Sequence, residues 1–244
     1  MGRGPQHLLE RDEVKRYKHI FFDLDHTLWD FHTNSRDTLR ELHGELRLAD
    51  HGITNVEELI ATYEDINEAL WGRYAAGRLP KAVLRVLRFR NTLAQFGVKE
   101  EALSTRMSQE YVARSPFRTA LMPGALDLLR DLRPHYGLHV ITNGFEEVQH
   151  IKLEHSGIGA WVDVVMTSEL AGARKPHPKI FAKALGRAGG RVEEALMVGD
   201  SRDADMLGAR NSGWDHAHYA KHEPQDEEAT YRLKELEDLR AILL

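Results

Sequence analysis

At 244 residues, with 42% hydrophobic and 29% charged side chains, the chain has the make-up of a globular protein, one large domain or a core with an inserted lobe, and not that of a disordered segment. Lys and Arg number 33 against 38 Asp and Glu, a formal net charge of -5, which gives no support to a nucleic acid polymer or an anionic membrane as partner. Cysteine is absent, which excludes disulfides, thiolate catalysis and cysteine-based zinc sites; no stretch approaches the roughly 18 apolar residues of a membrane span and no signal-peptide core is seen, so a cytoplasmic location is expected.

The first 18 residues are polar and charged, with Gly and Pro near their start, and read as an extension with no assigned function. The next stretch organises the chain. Ile20, Phe21 and Phe22 form an apolar run that gives way to Asp23, Asp25 and Thr27, the pattern of a buried strand delivering polar groups into a crevice. Side chains two apart on a strand share a face, and two carboxylates on one face ionise together only with a cation or a proton between them. Ordinary turn acids at a strand end are the alternative, so the rest of the chain decides.

After Trp29, Asn34, Ser35 and Asp37 offer helix-starting side chains and Leu39, Leu42 and Leu46 follow at helical spacing, which predicts a helix over about 35–48. From about 56 to 114 the apolar period stays helical, as in Leu59, Tyr63, Ile66, Leu70 and Tyr74, and again in Leu103, Met107 and Tyr111. With breaks at Gly52, at Gly77 with Pro80, and at Gly97, an all-helical block of about four helices is expected. Its aromatic residues Tyr63, Trp71 and Tyr74 read as helix packing rather than ligand contacts. At Pro123-Gly124 the character changes to alternating helical and short apolar stretches, the sign of a parallel sheet with crossover helices. Helices are expected over 125–132, 145–155, 180–185 and 206–210, and strands over 138–141, 162–166, 196–198 and 216–219. Leu233, Leu236, Leu239 and Ile242 are read as lining a last helix, after a solvated acidic linker over 225–228. The first strand precedes the helical block and the others follow it, so the block is an insertion into one α/β core, placed as a lid beside the strand that carries the acids. The expected division is an extension over 1–18, an α/β core over 19–33 and 118–244, and a helical cap over 34–117.

In an open α/β sheet the ligand crevice lies at the carboxyl ends of the strands. Thr142 and Asn143 end one strand, Gly199, Asp200 and Asp205 end or follow another, and Lys175 lies in an Arg-Lys-Pro-His-Pro loop between strands. Singly, Lys175 reads as a surface lysine, Thr142 as a strand-end residue and Asp200 as a helix cap. Together, two paired acids, a hydroxyl, an ammonium and a third acid with its companion can hold a hard divalent cation on oxygen ligands and cradle a dianionic phosphate. His216 and His218, spaced as strand neighbours, are the competing metal pair, but no acid cluster accompanies them.

These segments, in this order, resemble the four signatures of the haloacid dehalogenase superfamily phosphohydrolases: Asp23-Leu24-Asp25-His26-Thr27, Thr142-Asn143-Gly144, Lys175-Pro176, and Gly199-Asp200-Ser201 with Asp205. The resemblance covers the chain after residue 18 and implies a Rossmann-like parallel-sheet core with an inserted all-helical cap of the C1 type. It implies that Asp23 is a nucleophile kept ionised by Lys175 and forming an aspartyl-phosphate, and that Asp25 is first general acid and then base for water. It implies Mg2+ as cofactor on the Asp23 carboxylate, the Asp25 backbone carbonyl and the Asp200 carboxylate, with Asp205 supporting the metal shell or Lys175. The Thr142 hydroxyl, the Asn143 backbone N–H and the Lys175 ammonium would hold the phosphoryl oxygens. Within the superfamily an acid at Asp25 favours phosphoryl transfer over dehalogenation or phosphonate cleavage.

The run over 21–31, the Thr-Asn-Gly turn followed by Phe145, and the helical cap are most similar to the house-cleaning pyrimidine 5'-nucleotidases. That similarity implies nucleoside monophosphates such as dUMP, UMP and dTMP as substrates. Trp29, Phe31 and Phe145 then read either as a flat apolar wall for the base or as cap-core packing. A phosphatase for a small sugar or acid phosphate (phosphoglycolate or acylneuraminate phosphate), a phosphomutase and a catalytically quiet phospho-ligand binder stay open as alternatives. The expected partner is a small phosphorylated metabolite, with no nucleic acid polymer, no membrane, and a monomer or weak dimer as the assembly.

Overall fold

The computed structural model describes residues 17–221 and 224–244; the extension expected over 1–18 lies almost wholly outside them. The apolar run forms β1 (His19–Phe22), in the interior of a sheet completed by β2 (Gly137–Thr142), β3 (Val164–Thr167), β4 (Ala195–Gly199), β5 (Asp215–Tyr219) and β6 (Tyr231–Leu233). Every neighbouring pair is parallel, in the order β3-β2-β1-β4-β5-β6. The chain leaves β1 toward β2 and β3 and then returns to lay β4 on the other side of β1. The order therefore reverses between β1 and β4, and the crevice outside their carboxyl ends is the switch point where such sheets bind ligands.

Between β1 and β2 come α1 (Phe31–Glu45), α2 (Val56–Ala75), α3 (Lys81–Gln95), α4 (Glu101–Arg114) and α5 (Ala125–Leu132). Then follow α6 (Glu146–His155), α7 (Ser168–Ala171), α8 (Pro178–Ala188), α9 (Leu207–Asn211) and α10 (Asp238–Leu243). Because successive strand residues point to opposite faces, β1 feeds both sides of the sheet. Ile20 and Phe22 join Leu128 and Leu132 of α5 and Leu239 of α10, whereas Phe21 joins Phe181 and Ala184 of α8 and Ala209 of α9. All three β1 residues are fully buried, each side chain contributing about 1.5–3 kcal/mol by leaving water.

The helices α1 to α4 have a hydrophobic core of their own, in which Leu39 and Leu42 meet Leu59, Tyr63, Phe89, Leu93, Met107 and Tyr111. A further cluster, Leu70, Tyr74, Leu79 and Leu84 with Phe145, joins this lobe to the start of α6. Among the described residues no helix is long and apolar enough to cross a membrane.

The structure departs from the sequence reading in several places. The helix expected over 35–48 begins at Phe31, because Asp30 caps it by accepting the Thr33 N–H at 2.9 Å. Asn34, read as a helix starter, is buried inside it and ties both polar groups of Ala120. The block over 56–114 holds three helices, and α1 supplies the fourth of the bundle. Leu233, assigned to the last helix, pairs with Tyr219 in a sixth strand, and the helix starts only at Asp238. The linker over 225–228 is not wholly solvated either: Asp226 is buried and donates its backbone N–H to His218 Nδ1 at 2.9 Å.

Candidate active site

Asp23 directly follows β1, and its backbone N–H still donates to the Val198 carbonyl of β4 at 2.9 Å, which sets its side chain at the switch point. There the structure gathers three sequence-predicted acids: carboxylate oxygens of Asp23, Asp200 and Asp205 lie within 4.8 Å of one another. Lys175 enters the same space almost fully buried, its Nζ 2.6 Å from Asp23 Oδ1, 2.6 Å from Asp205 Oδ1 and 2.7 Å from the Ile141 carbonyl. Its loop is fixed by the Asn143 side chain, which accepts the Lys175 N–H at 2.8 Å and donates to the Lys175 carbonyl at 3.0 Å. Asp205 is fixed as well, accepting the Ser201 N–H at 3.1 Å and lying so close over Gly199 that a Cβ there would overlap its carboxylate.

Asp200 accepts from the Thr27 hydroxyl at 3.1 Å. Behind it, His218 Nδ1 accepts from the Asp226 backbone and so carries no proton, which leaves the proton on Nε2 to donate to the Asp200 carbonyl at 2.9 Å. His218 is thus a support for the Asp200 loop. His216 Nδ1 lies 3.2 Å from the Trp214 carbonyl. The His216 and His218 pair therefore makes no metal site.

Three carboxylates facing one ammonium leave the crevice short of positive charge. Burial pushes the Asp23 carboxyl up to about 7, outweighing Lys175, and neighbouring acids push the same way. Asp200 is raised to about 6 by burial and by Asp23, and Asp205 is raised by burial despite Lys175. Lys175 acts on Asp23 in the expected direction, favouring the ionised form, but it is shared with Asp205 and burial acts against it. Lys175 itself loses stability as a cation by burial but is held protonated by Asp205 and Asp23, its pKa raised. An all-oxygen cluster with surplus negative charge is what a hard divalent cation such as Mg2+ requires, so the residues present fit that ion.

Asp25 faces elsewhere. His26 adopts a left-handed φ of 66°, turning the chain after Asp25, and the Asp25 carboxylate meets Lys152 Nζ at 2.5 Å and Gln149 Nε2 at 2.9 Å. Burial alone would raise its pKa, but Lys152 and Gln149 outweigh burial and hold it below the usual value. Gln149 also reaches Thr142 Oγ1 at 2.7 Å, and that hydroxyl accepts the Gly144 N–H at 3.0 Å, leaving its own proton to donate. A Cβ at Gly144 would overlap the Gln149 side chain. Lys152, nearly fully buried, lies 4.1 Å from the Trp29 ring centroid.

Gln149 and Lys152 were not singled out from the sequence. Their signal is present: with Leu153 they occupy the buried side of α6, where apolar residues are expected and a buried amide and ammonium call for partners.

A small cavity opens between Asp25, Gln149 and Lys152 of the core and Arg88 and Tyr111 of the lobe, walled by Phe31, Trp71 and Phe145. Of the three aromatics read either as a wall or as packing, Trp29 packs: it is fully buried and donates Nε1–H to the Arg118 carbonyl at 3.0 Å. Phe31 and Phe145 do line the cavity, and Phe145 also packs between lobe and core, stacked on Trp71 at 5.1 Å. Trp71, expected as helix packing, belongs to this wall, whereas Tyr63 stacks on Phe89 inside the lobe as expected. A larger cleft of about 760 Å³ lies beside Asp200, bounded by Arg202, Arg210 and Asp226 and by Glu68 from the lobe.

A parallel α/β core with an acid-and-lysine crevice at its switch point and a helical lobe inserted after the first strand defines a class of hydrolytic enzyme. Residues 17–213 match the description haloacid dehalogenase-like hydrolase, and the chain belongs to that family as an enzyme, a hydrolase. It is 30% identical to the pyrimidine 5'-nucleotidase YjjG of Escherichia coli, over 92% of this chain and 96% of that one. It is 31% identical to the pyrimidine 5'-nucleotidase PynA of Streptococcus pneumoniae, over 91% and 93%. The crystal structure of the putative HAD-hydrolase YfnB from Bacillus subtilis, bound to magnesium, matches with a TM-score of 0.83 and 28% identity over 93% of this chain and 99% of that one.

Proposed function

We propose that this enzyme, a haloacid dehalogenase-type phosphatase, hydrolyses pyrimidine nucleoside 5'-monophosphates in the cytoplasm with Mg2+ and through an aspartyl-phosphate on Asp23. The observation that carries the reading is the second acid: Asp25 lies two residues from Asp23, with its carboxylate aimed by Lys152 and Gln149 beside the cavity rather than into the cluster of three acids. A nucleophile flanked by a separately held acid suits transfer of a phosphoryl group from an oxygen leaving group, which needs a proton as it departs. Pyrimidine monophosphates are favoured by the likeness to YjjG and PynA over more than nine-tenths of their length and by the aromatic-walled cavity.

In this mechanism an Asp23 oxygen attacks phosphorus in line, and the nucleoside 5'-oxygen leaves with a proton from Asp25. Asp25 is a carboxylate tied to Lys152 before substrate binds; a phosphate dianion beside it opposes that ammonium and favours the protonated acid. Asp25 then takes a proton from the water that attacks phosphorus, releasing inorganic phosphate and restoring the Asp23 carboxylate. Lys175 and the Thr142 hydroxyl donate to the phosphoryl oxygens as charge shifts among them. Mg2+, held by the Asp23 and Asp200 carboxylates and the Asp25 carbonyl, with Asp205 in support, would neutralise phosphoryl charge. The helical unit over 34–117 acts as the cap, the core being 19–33 with 118–244.

The test is phosphate release from a panel of phosphomonoesters, with Mg2+ and with chelator. Release that needs Mg2+ and is strongest on dUMP, UMP or dTMP is the expected result. Strongest release on a sugar or acid phosphate would overturn the nucleotidase assignment and leave the phosphatase standing.

A further inference from the structure

Among the described residues two cations line the cavity, Lys152 and Arg88, and only the first is neutralised. Lys152 pairs with Asp25, Lys81 with Glu147 and Glu169 at 2.8 and 2.6 Å, and Arg85 with Glu147. Arg88 of α3 is as buried as Lys152, 5% exposed, yet among the described residues no carboxylate pairs with it. Among the described residues its guanidinium makes one long hydrogen bond, from Nη1 to Asn67 Oδ1 at 3.3 Å, its Nε is buried without an acceptor, and its other polar neighbour is the Tyr63 hydroxyl. The guanidinium instead lies 4.8 Å from the Tyr111 ring centroid and 5.0 Å from that of Phe89. Aromatic faces hold a cation in place but satisfy none of its N–H groups. A buried guanidinium with spare donors is costly to keep, and Arg88 lines the same cavity as Asp25.

The cavity measures about 50 Å³, room for one edge of a flat ring between Phe31, Trp71 and Phe145 while the phosphoester stays outside beside Asp25, and that edge must present acceptors to Arg88. Arginine offers donors only, so a pyrimidine seated with its C4 position toward Arg88 is matched when a carbonyl stands there, as in uracil and thymine, and unmatched when the amino group of cytosine does. We propose that Arg88 is a specificity-determining residue that reads the carbonyl edge of a uracil or thymine ring and discriminates against the amino edge of cytosine. This rests on the nucleotidase reading above and assigns its base recognition to a single side chain of the lobe.

The experiment compares kcat and KM, with Mg2+, for dUMP, dCMP and the base-free ester ribose 5-phosphate in the parent, Arg88→Met and Asn67→Asp. The parent should favour dUMP over dCMP by about 100-fold, and over ribose 5-phosphate by more, as expected where buried donors go unmatched by the wrong ligand. Arg88→Met should lower kcat/KM for dUMP by about 100-fold, mostly through KM, bring dUMP and dCMP to near parity, and leave ribose 5-phosphate within about twofold. Asn67→Asp covers the case in which Arg88→Met folds poorly: it gives the guanidinium a carboxylate and should raise Tm while eroding the preference for dUMP. Equal loss on all three esters, or a dUMP preference that survives in either variant, would overturn the role of Arg88 and leave the nucleotidase reading intact. A parent that hydrolyses ribose 5-phosphate as well as dUMP would overturn both.

Discussion

The core and the lobe bury charge on opposite terms. At the carboxyl ends of β1 and β4 three acids crowd one ammonium, Lys175, whereas on the lobe side of the cavity Arg88 stands with no acid at all among the described residues. Neither arrangement is what a protein optimised for stability would keep, since a buried ion left unbalanced is unfavourable. The core is short of a cation and the lobe short of acceptors, so in the complex proposed above each half would be completed by a different part: the metal with the phosphate at one end, the rest of the substrate at the other. Asp25, held by Lys152 and Gln149, lies where the two meet.

The strongest way to break this picture is at the nucleophile. Asp23→Asn should lower turnover by at least about 10,000-fold, as loss of a covalent nucleophile does elsewhere, and the protein should stay folded because Lys175 keeps Asp205. Activity near the parent's in a purified variant would remove Asp23 from the mechanism. Next comes Asp25→Asn, for which a loss of about 100-fold to 10,000-fold is expected on nucleotides. It should also lower Tm more than Asp23→Asn does, because Lys152 then lies buried with no carboxylate partner. Steady-state kinetics and thermal melts on the two variants check both orderings.

The smallest effect is on stability, and it runs against the usual direction for acids. Asp23 and Asp200 are raised by burial to about 7 and about 6, above an unfolded value of about 4. Between those limits the folded protein binds more protons than the unfolded one, so these groups' contribution to stability falls as pH rises from about 4 through about 7. Mg2+ favours the ionised carboxylates and should remove the penalty. The Tm increase on adding Mg2+ should therefore be larger at pH 8 than at pH 5, read by thermal melts with chelator as baseline. An increase that is the same at both pH values would mean that these acids are not the metal's ligands.

Much of the core was legible because its chemistry is compressed into short segments at strand ends. Asp23, Asp200, Asp205, Lys175 and Thr142 each sit where an apolar run stops, or in the loop between runs, and the parallel topology then brings them together. Residues that act from the middle of helices were not legible in that way. Gln149, Lys152 and Arg88 fall within helical periods of mixed character, and their importance comes from what they face across the sheet or the lobe, which spacing along one helix does not reveal. The same limit misplaced Leu233: a three-residue edge strand gives too short a pattern to separate it from the helix after it. Trp29, which follows the acids in the chain, reads from the sequence equally as base wall or as packing, and it is the turn at His26 that decides for the core.

The most direct test is to look for the phosphate on Asp23. Asp25→Asn, mixed with Mg2+ and p-nitrophenyl phosphate, whose leaving group departs without help from an acid, should form the aspartyl-phosphate but lack the base that clears it. Acid quench and peptide mass spectrometry should then find phosphate on the peptide containing Asp23, lost on treatment with hydroxylamine. A variant that releases p-nitrophenol and phosphate at the parent's rate with no phosphopeptide at any time would contradict the account.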